Sequence, residues 1–131
     1  TSFYLASKYI DFASLSNEEI RSEIIELSNI YLNEAIIHLE PEDSDDKIIS
    51  TQAVKLVRLK QHLALNNPKK VLRQLKKLDK SEIYRVNEAL YNFLHYTAFE
   101  LLKDGKNAAL WKNKVSLLDL KKTQLIIKNN T

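Results

Sequence analysis

Glycine and proline, the residues that most often end helices and form tight turns, are rare in this sequence. One Gly and two Pro occur in 131 residues. A chain with so little turn-forming material favours long helices over strands and hairpins. The glycine-rich loops that hold phosphates in nucleotide-binding proteins are excluded as well, because they need several glycines at fixed spacing. We therefore expect an all-α chain.

Hydrophobic residues recur at helical spacing and divide the chain into about six helices. Short turns between them favour antiparallel hairpins, packed as a helical bundle or as a short solenoid. The predicted helices cover residues 2–14, 17–39, 46–65, 68–80, 82–103 and 107–128. The residues expected to face inward on the first, third and fifth helices are Phe3, Ala6, Ile10, Ala13, Ile49, Ala53, Leu56, Lys60, Leu63, Ile83, Val86, Leu90, Leu94, Thr97 and Leu101.

The clearest helix start lies at Ser16, which forms a capping box with Glu19. In this motif the side chain of each residue accepts a hydrogen bond from the backbone N–H of the other. Pro41 ends the helix that follows, and the acidic residues around it predict an exposed linker. The residues expected to face inward on this second helix are Ile20, Ile24, Leu27, Tyr31, Ala35 and His38.

Three further signals mark helix ends. Asn67 precedes Pro68, and proline suits the first helical position because its missing N–H would have no partner there anyway. Asp79 or Ser81 caps the helix that follows. Gly105 lies where a left-handed C-terminal cap is expected.

The last predicted helix carries two opposed apolar stripes, since successive residues are 100° apart around a helix. The first stripe consists of Trp111, Val115, Leu118 and Leu125. The second, hereafter the apolar stripe, consists of Leu110, Leu117, Leu120 and Ile127. We expect the first to pack on residues 82–102, which leaves the apolar stripe for a partner helix, a next repeat or a second copy of the chain. In the alternative, this helix is central and both stripes are buried within one chain.

Residues that could act in catalysis or bind a metal form no recognised arrangement. The chain has no Cys, so disulfides and thiolate metal sites are excluded. Glu34 and His38 share a helix face, but a di-iron bundle needs two Glu-x-x-His motifs, which are missing. His62 and His95 have no Ser, Cys and carboxylate near them in sequence. We expect no catalytic, metal-binding or cofactor-binding residue, and no enzyme.

Charge is divided unevenly along the chain. Residues 1–46 hold two cations and eleven carboxylates, a net charge of −9, whereas residues 47–131 hold eighteen cations and six carboxylates, a net charge of +12. Such asymmetry indicates a charged interaction surface. Seven cations, hereafter the basic face, point away from the apolar residues of their helices. They are Lys55, Arg58, Lys69, Arg73, Lys76, Lys77 and Lys80.

Three partners for the basic face remain open. The acidic first third of the chain could lie beside it, which would contribute little stability through exposed pairs. An acidic protein surface would be attracted by its field. Nucleic acid would have its phosphates neutralised by Lys and Arg. No aromatic residue interrupts the stretch from 66 to 80, although single-strand binders usually add aromatic stacking.

Two helix pairs, beginning near residues 47 and 81, start 34 residues apart, and each is a helix, a short turn and a helix. This spacing resembles a tetratricopeptide-type repeat over residues 47–128. The resemblance implies stacked antiparallel helices that bind a peptide or protein. The second helices of the two pairs offer Val71, Leu75 and Ala108 where the family places small residues and Gly, so no binding residue is carried over.

The sequence predicts one helical domain over residues 1–131, excised from a larger protein, because it starts at Thr1 and lacks Met. No apolar run approaches the roughly 18 residues of a membrane span, and the lack of Cys favours an intracellular location, cytoplasmic or nuclear. We expect a protein–protein interaction or scaffold module of a larger complex that binds through the basic face and the apolar stripe. The alternative is a small helical nucleic-acid-binding subunit that uses the basic residues of 55–80.

Overall fold

The computed structural model describes residues 2–14, 18–39 and 44–130, and within them the side chains of 4–13, 20–36, 51–128 and 130. These residues form seven α-helices and two short 3₁₀ helices, and none of them forms a β-strand. The all-α fold class is confirmed. The α-helices are α1 (Ser2–Ser14), α2 (Glu18–Leu39), α3 (Ser44–Ala64), α4 (Pro68–Leu75), α5 (Glu88–Leu101), α6 (Gly105–Lys112) and α7 (Leu117–Asn129), and the 3₁₀ helices are Lys80–Glu82 and Arg85–Asn87.

α3 is the central helix, because two of its sides are buried in different clusters of apolar side chains. To the cluster shared with α1 and α2 it contributes Val54, Val57 and Ala64. To the cluster shared with α4 and α5 it contributes Leu56, Leu59 and Leu63. Fully burying an aliphatic side chain of this size is worth about 1.5–3 kcal/mol. The position of α3 therefore determines where the helices on both sides can pack.

Many predicted inward positions of α1, α3 and α5 are confirmed. Those that are buried are Ala6, Ile10, Ala13, Leu56, Lys60, Leu63, Leu94 and Thr97. Periodicity identified Lys60 and Thr97 despite their polar side chains. The capping box at Ser16, the linker at Pro41 and the side chains of Phe3, His38 and Ile49 lie outside the described residues.

α2 presents a different face from the predicted one. Ile24 is buried as predicted, but Ile20 and Leu27 are 46% and 43% exposed, so their inward assignment is wrong. Ser28 is buried in place of its neighbour Leu27, because its hydroxyl has two hydrogen-bond partners. It donates to the backbone carbonyl of Ile25 (2.6 Å) and accepts from Gln61 Nε2 (2.9 Å). The buried residues of α2 are Arg21, Ile24, Ile25, Ser28 and Leu32.

α4 and α5 are shorter than predicted at the ends that face each other. α4 starts at Pro68 as predicted but ends at Leu75. α5 starts only at Glu88. Between the helices, Asp79 Oδ1 accepts hydrogen bonds from the backbone N–H (3.0 Å) and the hydroxyl (2.8 Å) of Ser81. Such local side-chain bonds compete with helical hydrogen bonding. As a result Val86, which the pattern assigns to the inward face, is exposed.

The prediction that Gly105 ends a helix in a left-handed conformation is wrong. Lys103 is the residue with a left-handed backbone, at φ 58°. Asp104 then caps α6, since its Oδ1 accepts from the backbone N–H of Asn107 (3.2 Å) and its Oδ2 from the side-chain amide (2.7 Å). Because this cap starts a new helix at once, Gly105 becomes a helical residue. Asn67 occupies its predicted cap position, although its side chain makes no capping hydrogen bond.

The predicted last helix is two helices, α6 and α7. The chain turns between them, and Ser116 caps α7 by accepting a hydrogen bond from the backbone N–H of Asp119 (3.2 Å). This turn divides each of the two predicted stripes into a part before the turn and a part on α7. Trp111 packs against α5, but Leu118 is exposed, so its placement beside Trp111 is wrong. The alternative of one central helix is wrong too, since Leu117 is 80% exposed.

α7 is attached to α5 and α1 by polar contacts. Thr97 Oγ1 and Thr123 Oγ1 lie 2.8 Å apart, and both residues are fully buried. Thr123 Oγ1 also donates to the backbone carbonyl of Asp119 (3.1 Å), so Thr97 donates to Thr123. Lys122 Nζ reaches Asp11 Oδ2 at 3.5 Å. These contacts bring α7 back against the first helix.

Candidate functional site

All seven residues of the basic face are exposed. No carboxylate among the described residues forms an ion pair with any of them. Asp11 forms ion pairs with Lys60 and Lys122, and Asp119 forms one with Lys122. The charge of the basic face is therefore not neutralised by the described acidic residues.

A groove of about 380 Å³, hereafter the basic groove, lies between α3 and α4. Residues 65–67 join the two helices, so the chain folds back and the helices pack side by side. α3 forms one wall with Lys55, Arg58, Leu59 and His62. α4 and the turn after it form the other wall with Lys70, Gln74, Lys77 and Leu78. Spacings of three and four residues place each set on one side of its segment.

The described residues that line the basic groove include four cations, two on each wall, and no carboxylate. The effect of this charge is visible at His62. Burial lowers the pKa of His62 from its usual value, and the positive charges of Lys70 and Arg58 lower it further. Burial disfavours a charge of either sign, but the contribution of Lys70 and Arg58 has the sign expected of a groove with a positive potential.

The structure divides the basic face into three parts. Lys55, Arg58 and Lys77 line the basic groove. Lys80 lies apart, 5.9 Å from the ring of Trp111. The cations of the basic face that are exposed outside the groove and away from this ring are Lys69, Arg73 and Lys76.

Sequence reasoning missed three polar residues of the basic groove: Lys70, Gln74 and His62. A signal for two of them was present, because Lys70, Gln74 and Lys77 follow the spacing i, i+4, i+7 of one helix face. Which face of α4 meets which face of α3 depends on how the two helices pack. Periodicity within one helix does not contain that information.

Trp111 is enclosed by other groups. The imidazole of His95 stacks on it at 3.9 Å between ring centroids, and Lys114 Nζ lies 4.5 Å from the centroid. His95 Nδ1 lies 2.9 Å from the carbonyl oxygen of Tyr91, to which it donates. Burial lowers the pKa of His95, with Lys114 and Lys80 adding to the effect. The indole ring of Trp111 is thus in contact with the protein's own side chains.

A second polar cluster lies at a smaller cavity of about 220 Å³ beside α1, α3 and α7. Lys60 is buried there, forms an ion pair with Asp11 and donates to Ser7 Oγ (3.1 Å). Burial lowers the pKa of Lys60, while Asp11 opposes the shift. Asp11 also pairs with Lys122, which in turn lies 4.0 Å from Asp119. We interpret this cluster as a connection between helices, since each ionic group already has a partner.

The apolar stripe is divided between two helices. Leu110 lies on α6 and is 66% exposed, and Leu117 lies in the first turn of α7. Leu120 and Ile127, further along α7, are half-buried. Leu118, 66% exposed, adds to the uncovered apolar surface near Leu117.

The described residues include no group of three or more His, Asp or Glu side chains placed to hold a metal ion. In the same part of the chain, no helix combines the length and the apolar character needed to cross a bilayer.

The likeness to tetratricopeptide-type repeats stays a prediction. Comparison with known proteins gives no match to a protein-family model, a curated protein or a solved structure.

Proposed function

We propose that this chain is a protein–protein interaction module that binds an acidic segment of a partner through the basic face, centred on the basic groove. The observation that carries this proposal is the groove itself, where four cations converge and none of the described carboxylates lies. An acidic partner would supply the missing negative charge. Its attraction would chiefly raise the rate of association and select against other partners.

A protein partner is favoured over nucleic acid by the position of the aromatic residues. Binding of single strands without sequence preference relies on aromatic side chains on which bases stack. No Phe, Tyr or Trp is among the described residues that line the basic groove. Trp111, the only tryptophan, already stacks on His95 and lies close to Lys114. The nucleic-acid-binding subunit is kept as the outcome that the experiment below can reveal.

Fluorescence anisotropy with two labelled probes of equal charge tests the proposal: an Asp- and Glu-rich peptide and a single-stranded oligonucleotide. We expect the peptide to bind, and the variant with Lys69, Arg73, Lys76 and Lys77 all replaced by Glu to lose binding by at least about tenfold. Its helical circular dichroism and melting temperature should stay close to the parent's, because exposed unpaired cations contribute little stability.

Two outcomes contradict the proposal. Tighter binding of the oligonucleotide, weakened steeply by salt, supports the nucleic-acid alternative. Unfolding of the charge-reversed variant indicates that these cations pair with the chain's own acidic residues.

The apolar stripe is a second proposed surface, for an apolar partner helix or a second copy. The expected lack of enzymatic activity and the intracellular location stay predictions.

A further inference from the structure

We propose that the basic groove is a phosphoryl-binding site, which receives a phosphorylated serine or threonine side chain from the acidic segment of a protein partner. This inference rests on the proposed function and names the group that the groove recognises. Lys55, Arg58, Lys70 and Lys77 are the residues that hold the phosphoryl group.

The charge of the groove fits a phosphoryl group better than a carboxylate. Four cations line one space of about 380 Å³, and no carboxylate among the described side chains lines it. A single Asp or Glu side chain would bring one negative charge and leave most of this positive charge uncompensated. A phosphorylated side chain brings a charge of about −1.5 to −2 at neutral pH, together with three strong acceptor oxygens.

The donors come from both walls of the groove. Lys55 and Arg58 lie on α3, whereas Lys70 and Lys77 lie on α4 and the turn after it. A compact anion with three acceptor oxygens can bond to both walls at once, and the planar guanidinium of Arg58 suits a bidentate contact with two of the oxygens. Gln74 adds an uncharged amide donor.

Apolar side chains border these donors. Leu59 lies between Arg58 and His62 along α3, and Leu78 follows Lys77 on the other wall. Leu59 is buried and Leu78 is half-buried. These leucines would shield one side of a bound phosphoryl group from water, which would strengthen its charge-assisted hydrogen bonds.

His62 provides a measurement that is independent of affinity. The positive charges of Lys70 and Arg58 contribute to its lowered pKa. A phosphoryl dianion held by these two residues would reduce their effect on the imidazole and favour its protonated form. Binding in the groove therefore raises the pKa of His62, whereas binding elsewhere on the basic face leaves it unchanged.

The experiment uses the full chain and three versions of one acidic peptide, with phosphoserine, serine or glutamate at the central position. Anisotropy gives the affinities, and NMR titration gives the pKa of His62. We expect the phosphoserine peptide to bind at least about tenfold more tightly than the serine and glutamate versions, and to raise the pKa of His62.

Two double variants with the same residue types and spacing separate the groove from its surroundings. Lys70→Gln with Lys77→Gln removes two groove cations, and Lys69→Gln with Lys76→Gln removes two exposed cations of the same segment outside it. The groove variant should lose about tenfold or more in affinity for the phosphoserine peptide. Because Lys69 and Lys76 still belong to the basic face, the control should lose affinity as well, but several-fold less than the groove variant.

The inference is overturned if the glutamate peptide binds as tightly as the phosphoserine peptide. It is also overturned if both double variants lose affinity equally, or if the pKa of His62 does not move on binding. In each of these cases the acidic peptides still bind, so the proposed function survives. Failure of every peptide to bind would overturn both.

Discussion

At the scale of single residues, the titratable side chain of His95 packs between α5 and α6. Its imidazole lies between Tyr91 on α5 and Trp111 on α6, with a hydrogen bond to the carbonyl of Tyr91 and a stacking contact on Trp111. Lys114 and Lys80 are the charged groups that act on it from the following turn and the 3₁₀ segment. Both add to burial in disfavouring the imidazolium.

We expect the fluorescence of Trp111, the only tryptophan, to change with pH around a midpoint below about 6.5, the usual pKa of His. The pKa of His95 is lowered in the folded state, so the unfolded state binds more protons in the window between the folded pKa and about 6.5. The free energy of unfolding should therefore fall as pH drops through that window. Fluorescence titration and chemical denaturation at several pH values measure the two effects.

His95→Gln should remove both the fluorescence transition and this part of the pH dependence of stability. His62→Gln is the matched control, because the pKa of His62 is also lowered but this residue lies in the basic groove. A transition that persists in His95→Gln, or disappears in His62→Gln, would assign the effect to another group.

At the scale of elements, the turn between α6 and α7 depends on one hydroxyl. Ser116 has an extended backbone and its Oγ accepts from the N–H of Asp119, the N3 residue of α7. Ser116→Ala should lower the free energy of unfolding by about 1 kcal/mol, the usual cost of losing an N-cap. Ser22→Ala, an exposed change inside α2, should be neutral or slightly stabilising because alanine is the better helix former. Urea denaturation compares the two, and equal effects would argue against a capping role.

The elements that periodicity predicts correctly are those with one buried face. α1 and α4 are of this kind, and their inward residues Ala6, Ile10 and Val71 are fully buried. The prediction of one long last helix failed because local capping competed with a continuous apolar pattern. Ser116 followed by Asp119 is such a capping signal, but the leucines on either side of it suggested one uninterrupted helix.

The candidate site was predicted only in part, for a related reason. Exposure of the basic face follows from single-helix geometry, which is why all seven cations lie on the surface. The gathering of Lys55, Arg58, Lys70 and Lys77 depends on the packing of α4 against α3. That packing is set by buried apolar contacts such as those of Leu59 and Val71, which lie in one cluster. The sequence pattern of a single helix does not specify it.

At the scale of the whole molecule, the exposed leucines after α5 should cause self-association. Leu110 and Leu117 are 66% and 80% exposed, and exposed apolar patches commonly mark interaction surfaces. We expect sedimentation equilibrium to show dimers or larger species, and Leu110→Ser with Leu117→Ser to weaken them by about tenfold or more. Leu65→Ser, in the turn after α3, is the control, because Leu65 is 45% exposed but distant in sequence from the stripe. A parent chain that stays monomeric at high concentration would contradict this prediction.

The contacts of α7 also impose an order on folding during synthesis. α1, α2 and α3 can form their shared cluster as soon as they leave the ribosome, but Lys122 and Thr123 are made long after Asp11. Until α7 arrives, Asp11 lacks its ion pair with Lys122 and the buried hydroxyl of Thr97 lacks the acceptor that Thr123 provides. Contacts between residues so far apart in the chain form slowly. The nascent chain should therefore pass through a partly folded state with an open α5 surface, which closes only when the last helix docks.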